Sequence, residues 1–202
     1  MTVIGLTGPS GSGKGEVGKV MAAAGIPVLD TDAVYHALTD EPSPCTQALA
    51  EAFGTEILQE DGSLDRKRLA AAVFCGGDVQ AGRCAVLNRI THAFVLKEVR
   101  VWLARMRALE MPAAVVDAPM LFESGFDREC AQVVSVLAPE ETRLTRIMAR
   151  DGLSRERALA RLHAQKDAAF YRAHSDICIE NTGTLEQLRQ NAAVLAERLK
   201  AK

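Results

Sequence analysis

The sequence predicts an α/β fold, a parallel five-stranded sheet flanked by helices, with an inserted helical lobe and an arginine-rich lid. Three observations carry that expectation. A short apolar run near the N-terminus ends abruptly in Gly8-Pro9-Ser10-Gly11-Ser12-Gly13-Lys14, further short apolar runs alternate with helix-period segments, and residues 54–110 read as helix nearly throughout.

The elements follow in order. Val3, Ile4 and Leu6 form the first strand, too brief for a helix and cut off by the glycine-rich string. From Gly13 to Ala24 the apolar positions Val17, Val20 and Met21 recur at helical spacing, with Gly25 as the stop and Pro27 opening a second strand that runs to Asp30. Pro42 and Pro44 punctuate the chain. Helices are then expected at 46–53, at 65–74 with Asp65 as cap and Gly76-Gly77 as stop, and at 78–109. The last is long for one globular helix, and β-branched Ile90 and Thr91 beside His92 predict a break in it. Pro112 ends the insertion. Residues 113–117 and 131–137 have the continuous apolar character of strands buried on both faces. After Pro139 a helix runs to about Asp151, an arginine-rich stretch reaches Arg172, a brief strand covers 177–179, and a final helix from Leu185 carries Leu188, Leu195 and Leu199 on one face. The expected division is a sheet-bearing core of residues 1–53 and 111–202, its lid at about 151–172, and a helical lobe at 54–110.

Composition narrows the function. Among 202 residues, 24 Lys and Arg face 26 Asp and Glu, for a net charge of -2, and aromatics make up only 4%. A dedicated nucleic-acid binder needs a basic face and stacking surface, and both are scarce here. The apolar stretch from Val20 to Leu29 holds Gly25 and Pro27 and is too short to cross a bilayer, and no basic segment leads an apolar one at the N-terminus. The expectation is a cytoplasmic protein without membrane or nucleic-acid partners. Cys45, Cys75, Cys84, Cys130 and Cys178 are odd in number and lack paired spacing, which predicts reduced thiols rather than a zinc site or disulfide framework.

Gly8 to Lys14 fits G-x-x-x-x-G-K between a strand and a helix. That spacing lets successive peptide N–H groups curl around a phosphate while the helix turns its positive end toward it and the lysine reaches the outer phosphates. Gly11, Ser12, Gly13, Lys14, Gly15 and Glu16 are the candidate nucleotide contacts; the alternative is a flexible Gly/Ser turn with a solvated lysine. Gly15 stands where such loops carry a Ser or Thr that ligates magnesium. Mg²⁺ keeps several waters when it binds nucleotide phosphates, so Asp32 and Asp117 are the candidates to hold its shell through water.

Asp30-Thr31-Asp32 closes the second strand, and a continued extended backbone would send both carboxylates to the same side at the ligand-facing end of a parallel sheet. Either acid can serve an acceptor hydroxyl, hold a metal-bound water or cap the next helix. Asp117 ends another strand beside that crevice; after the turn at Pro119, Leu121 and Phe122 are read as walls of the acceptor pocket, and Glu123 as either a site or a loop residue. Arg143, Arg146 and Arg150 share one helical face, and Arg155, Arg157 and Arg161 continue beyond a hinge at Gly152-Leu153-Ser154. Arginines closing over a phosphoryl group stabilise its spread charge and exclude water, which favours Arg146 and Arg150 as catalytic, with Arg161 on the substrate. At Asn181-Thr182-Gly183 peptide groups can meet adenine, or the segment is a plain turn.

Together these residues resemble the dephospho-coenzyme A kinase family over nearly the whole chain: Gly5-Leu6-Thr7-Gly8 through Lys14, Asp30-x-Asp32 with His36, Ile90-x-His92, Asp117-x-Pro119-x-Leu121-Phe122-Glu123, Arg146 with Arg150-Asp151, Arg161-x-x-x-Gln165, and Asp176 leading to Asn181-x-Gly183. The resemblance implies a P-loop kinase core like that of nucleoside monophosphate kinases with an added CoA lobe and lid. It also implies transfer of the γ-phosphate of ATP to the 3'-hydroxyl of dephospho-CoA, the last step of coenzyme A synthesis. On that basis Lys14 and its loop hold ATP, Asp32 is the acceptor-side base, Arg146 and Arg150 clamp phosphates, and His92 lies near the acceptor. The chain departs from the family pattern at Gly15, at Ala93 in place of a proline, and at Tyr171, near where a basic residue is common. Adenylate kinases resemble it in carrying Gly after the loop lysine. The rival readings are a kinase of another small acceptor, such as a nucleoside monophosphate, and a non-catalytic nucleotide-binding module. As for assembly, a monomer or weak homo-oligomer is expected.

Overall fold

The strand expected at 113–117 is buried at every position, the mark of a parallel strand covered on both faces. The computed structural model describes residues 1–74, 76 and 79–200. The chain runs β1 (Thr2–Thr7), α1 (Lys14–Ala23), β2 (Val28–Asp30), α2 (Thr31–Thr39), α3 (Pro44–Phe53), α4 (Arg66–Val73), α5 (Val79–Ala108), β3 (Ala113–Asp117), β4 (Gln132–Leu137), α6 (Glu140–Asp151), α7 (Arg155–His163), α8 (Ala168–His174), β5 (Ile177–Glu180) and α9 (Leu185–Lys200). Among the described residues the five strands form one sheet in the order β2-β3-β1-β4-β5, with every pairing parallel. The fold class is the expected one.

Register decides where chemistry can sit. Leu6 of β1 and Asp30 of β2 both align with Asp117 of β3, so these strands finish together at one edge, where the glycine loop leaves β1. Below that edge Ile4, Leu6, Val115, Val134 and Val136 pack against Val17 and Met21 of α1 and Leu188, Leu195 and Leu199 of α9. The apolar face expected of the last helix is the one that is buried.

By packing the chain divides into residues 1–30 with 103–202 and residues Thr31–Trp102. The second unit starts ahead of the 54–110 lobe because Tyr35 and Leu38 of α2 and Cys45, Leu49 and Phe53 of α3 share a core with Leu69 and Val73 of α4 and Leu87, Ile90 and Phe94 of α5. Helix α3 begins at Pro44 rather than 46, since Ser43 and Thr46 form a reciprocal capping box and Pro occupies the first turn, where its missing N–H costs nothing. Asp65 caps α4 through the backbone N–H groups of Lys67 and Arg68, as expected. The break expected near Ile90 and Thr91 is absent, for α5 is continuous. The Thr91 hydroxyl donates to the Leu87 carbonyl at 2.9 Å while Ile90 and Phe94 bury their apolar surface, and that burial outweighs the small helix cost of β-branching. Cys45, Cys84, Cys130 and Cys178 are free thiols; Cys75, with Gly77 and Asp78 of the expected stop and helix start, lies outside the described residues.

One geometric expectation fails. Helix α2 starts at Thr31, directly after β2, so Asp32 sits in a helix's first turn and does not follow Asp30 at a strand's two-residue period. The reason is local: an acid in the first turn is favoured by the positive helix end, and Asp30 stands just before it, where Asp is a preferred cap.

Candidate active site

The glycine loop is shaped by close approach. Gly8 has φ +146°, and a Cβ there would stand 2.3 Å from the Val136 carbonyl oxygen of β4. Gly11 lies against the backbone of Arg143, where a Cβ would be 2.8 Å from its carbonyl oxygen, and at Gly13 a Cβ would be 2.6 Å from Asn181 Nδ2. Only glycine fits these positions, and the helix that follows starts at Lys14, so its N-terminus opens on the loop.

Three successive loop carbonyls each accept a side-chain donor. Arg143 Nε donates to Ser10 O at 3.2 Å, Arg146 Nη1 to Gly11 O at 3.0 Å, and Asn181 Nδ2 to Ser12 O at 2.8 Å. The Ser10 amide donates to Gln165 Oε1 at 2.9 Å. Thr7 Oγ1, Ser12 Oγ and Asn181 Oδ1 are buried here without a protein hydrogen-bond partner. A buried polar atom without a partner is uncommon, and this group of them surrounds the loop.

Lys14 forms an ion pair with Asp117, both side chains nearly buried at the tip of β3. Arg150, more than half exposed, grips Asp151 through Nε at 2.7 Å and Nη2 at 2.9 Å and reaches Ser10 Oγ at 3.3 Å. Its pairing with Asp151 raises its pKa and holds the Asp151 carboxyl below the usual range. Arg161 meets the same carboxylate at 2.8 Å. Arg155 instead pairs with Glu141 at 2.7 Å on the surface, and Arg157 is exposed. The expected hinge is a cap-to-cap turn, with Gly152 left-handed after α6 and Ser154 capping α7. Glu16 bonds Lys19 at 2.6 Å and Arg189 at 2.9 Å, so its side chain is engaged at the surface, although its peptide remains in the helix's first turn.

Other assignments divide. Asp30 and Asp117 are strand neighbours at the loop edge. Asp32, in α2, and half-buried His92, in α5, belong to the helical unit. Leu121 does not wall a pocket: it is 0% exposed, with side-chain carbons 2.8 and 3.1 Å from where a Cβ on Gly5 would be, and that glycine exists to admit it. Phe122 is half-buried against Phe170, Tyr171 and His174, with ring centroids 5.2 to 5.9 Å apart. Burial, and then the charge of Glu123, push the Tyr171 hydroxyl up to about 12. A cleft of about 440 Å³ opens at the tips of β4 and β5, lined by Pro139, Arg143, Leu162, Gln165, Arg172 and Thr182 among others. Its size suits a small organic ligand.

Arg143 shares a helical face with Arg146 and Arg150, yet it is only 7% exposed. A sequence signal existed, since it precedes buried Ile147 by one helical turn and so lies on the border of the apolar stripe. Burial lowers its pKa. Gln165, known from the sequence only as part of a motif, touches the loop directly.

As for a metal, no cluster of three or more His, Cys, Asp or Glu suited to a metal occurs among the described residues. Asp117 at the loop edge, with Gly15 offering no hydroxyl, fits an ion held mainly by phosphates and water and does not fit a fully protein-ligated one. No described helix is long and apolar enough to cross a membrane.

Comparison with known proteins gives a consistent result. The family profile for dephospho-CoA kinase matches residues 2–187. A dephospho-CoA kinase of Carboxydothermus hydrogenoformans is 34% identical over 202 residues, covering 100% of this chain and 96% of its own. That of Anaeromyxobacter dehalogenans is 39% identical over 192 residues, 95% of this chain and 89% of its own. The solved dephospho-CoA kinase of Campylobacter jejuni superposes with a TM-score of 0.70 at 26% identity, over 98% of this chain and 97% of that one.

Proposed function

The chain belongs to the dephospho-CoA kinase family, and from that premise we propose how its residues pass the γ-phosphate of ATP to the 3'-hydroxyl of dephospho-CoA. The observation that carries the reading is the meeting of Lys14 and Asp117 at the edge where the glycine loop leaves the sheet.

The loop segment from Gly11 to Glu16 takes the ATP phosphates, the Gly11 and Gly13 amides among its donors, and the peptide groups of Asn181 to Gly183 border the base, near the cleft that Thr182 lines. Lys14 exchanges Asp117 for an outer phosphate oxygen, which releases that carboxylate to hold a water. Asp117 and Asp32 would hold the waters of Mg²⁺, whose chemistry is to neutralise charge on the phosphates. Arg146 and Arg150 leave loop and lid partners for the transferring group, whose charge is spread over its equatorial oxygens, and Arg161 follows on the lid at 151–172. Asp32 orients the acceptor hydroxyl and receives its proton late, because a loose transition state leaves that oxygen little changed until transfer is advanced. His92 and Phe122 face the acceptor. On the same reading the enzyme is a cytoplasmic monomer or weak homo-oligomer working on small molecules; the scattered free thiols support a reducing compartment.

The test is direct. Purified protein given ATP, Mg²⁺ and dephospho-CoA forms coenzyme A and ADP in equal amounts, with AMP and CMP far poorer acceptors. ADP no faster than without acceptor would defeat the assignment, and a preference for AMP or CMP would move the chain to the nucleoside monophosphate kinases.

A further inference from the structure

Two buried side chains outside the phosphate-contacting set hold carbonyls of the glycine loop. In a trans peptide the carbonyl and the next residue's N–H face opposite ways. The Ser10 carbonyl shares its peptide with the Gly11 N–H, and the Ser12 carbonyl with the Gly13 N–H. With those two carbonyls tied to side chains, the amides of Gly11 and Gly13 face the opposite way, away from the groups that tie them. Arg143 ties the first at 3.2 Å and Asn181 the second at 2.8 Å. The intervening peptide differs: its N–H, on Ser12, donates to the Pro9 carbonyl at 3.1 Å, and its carbonyl is held by the exposed Arg146.

We propose that Arg143 and Asn181 are positioning residues of the nucleotide site, bracing the Ser10 and Ser12 carbonyls so that the Gly11 and Gly13 amides are aimed at the ATP phosphates before ATP arrives. Both are built for permanence. Asn181 is 4% and Arg143 7% exposed, and each anchors elsewhere: the Asn181 amide donates to the Leu137 carbonyl of β4 at 2.7 Å, and the Arg143 amide to the Pro139 carbonyl at 3.0 Å. Each also stands where its glycine admits no Cβ, so the close packing at Gly11 and Gly13 and the two hydrogen bonds are one arrangement. A donor aimed in advance spares the reorganisation that a floppy loop incurs on binding an anion.

The inference rests on the nucleotide-loop reading above and separates from it by experiment. Asn181→Asp keeps the shape but loses the donor, and Arg143→Met keeps the apolar stem. Each should raise KM for ATP by about tenfold or more, with KM for dephospho-CoA within about twofold of wild type. Arg143→Lys, which keeps a donor, should recover most of the loss. Leu195→Ala, in the core under α9, serves as a stability control and should lower Tm without moving KM for ATP. If Asn181→Asp fails to fold, Asn181→Ala carries the same expectation. The proposal is overturned if both donor-less variants keep KM for ATP within twofold, or if Leu195→Ala raises it as much for an equal fall in Tm. Should wild type not turn over dephospho-CoA, the acceptor assignment fails alone, and calorimetric ATP affinities of the same variants still decide the bracing.

Discussion

The glycine loop and the arginine segment from α6 to α7 touch one another, yet they are held in opposite ways. The loop is fixed by buried donors and by glycines whose neighbours leave no room for a side chain. The lid arginines are exposed and hold partners that can be exchanged: Arg150 and Arg161 share Asp151, and Arg150 also reaches Ser10 Oγ. Exposed ion pairs of this kind contribute about 0 to 1 kcal/mol, little enough to be given up when a phosphate offers a stronger one. On the proposed reading one region is organised before binding and the other reorganises upon it. That is the division a reaction needs if it must both define a binding site and shut water out.

Substitutions can break or sharpen that contrast. The largest loss is expected at Lys14→Met, which removes the loop's lysine charge and should lower kcat/KM by about a thousandfold or more in an ADP-release assay. Leu121→Ala tests the fixed side from below. As a fully buried residue packed on Gly5 it should cost about 3 kcal/mol in urea unfolding while leaving KM for dephospho-CoA unaltered, and a selective rise in that KM would restore the pocket-wall role. Arg150→Ala should reduce kcat by about a hundredfold with a smaller change in KM for ATP, because an exchangeable arginine acts mainly in the transition state; an equal loss in ATP affinity would make it part of the resting site. Smallest is Arg155→Ala. Its pairing with Glu141 lies on the surface, so kcat/KM should stay within about twofold of wild type, and a larger drop would extend the working lid to that residue.

Much of this molecule was legible in its residues because the signals are local. The strand at 113–117, the helix stops, the Asp65 cap and the phosphate loop all arise from neighbours a few positions apart. The misreadings have a common cause. A break at Ile90 and Thr91 was expected from helix preference, and packing against α3 and α4 overruled it. Leu121 looked like a pocket wall because its motif is next to a carboxylate, but the missing side chain of Gly5 drew it into the core. Asp32 was expected to align with Asp30 by strand period, and the helix began one residue too soon.

What the sequence by itself determined is the glycine loop and the succession of the five strands along the chain, since glycine spacing, apolar period and caps act within a few residues. Only the tertiary structure decided which side chains hold the loop. Arg143 and Asn181 lie 133 and 169 positions from the carbonyls they tie, and no periodicity carries that information. A parallel sheet sets it by bringing distant strand ends to one edge, where burial makes each remaining polar group find a partner.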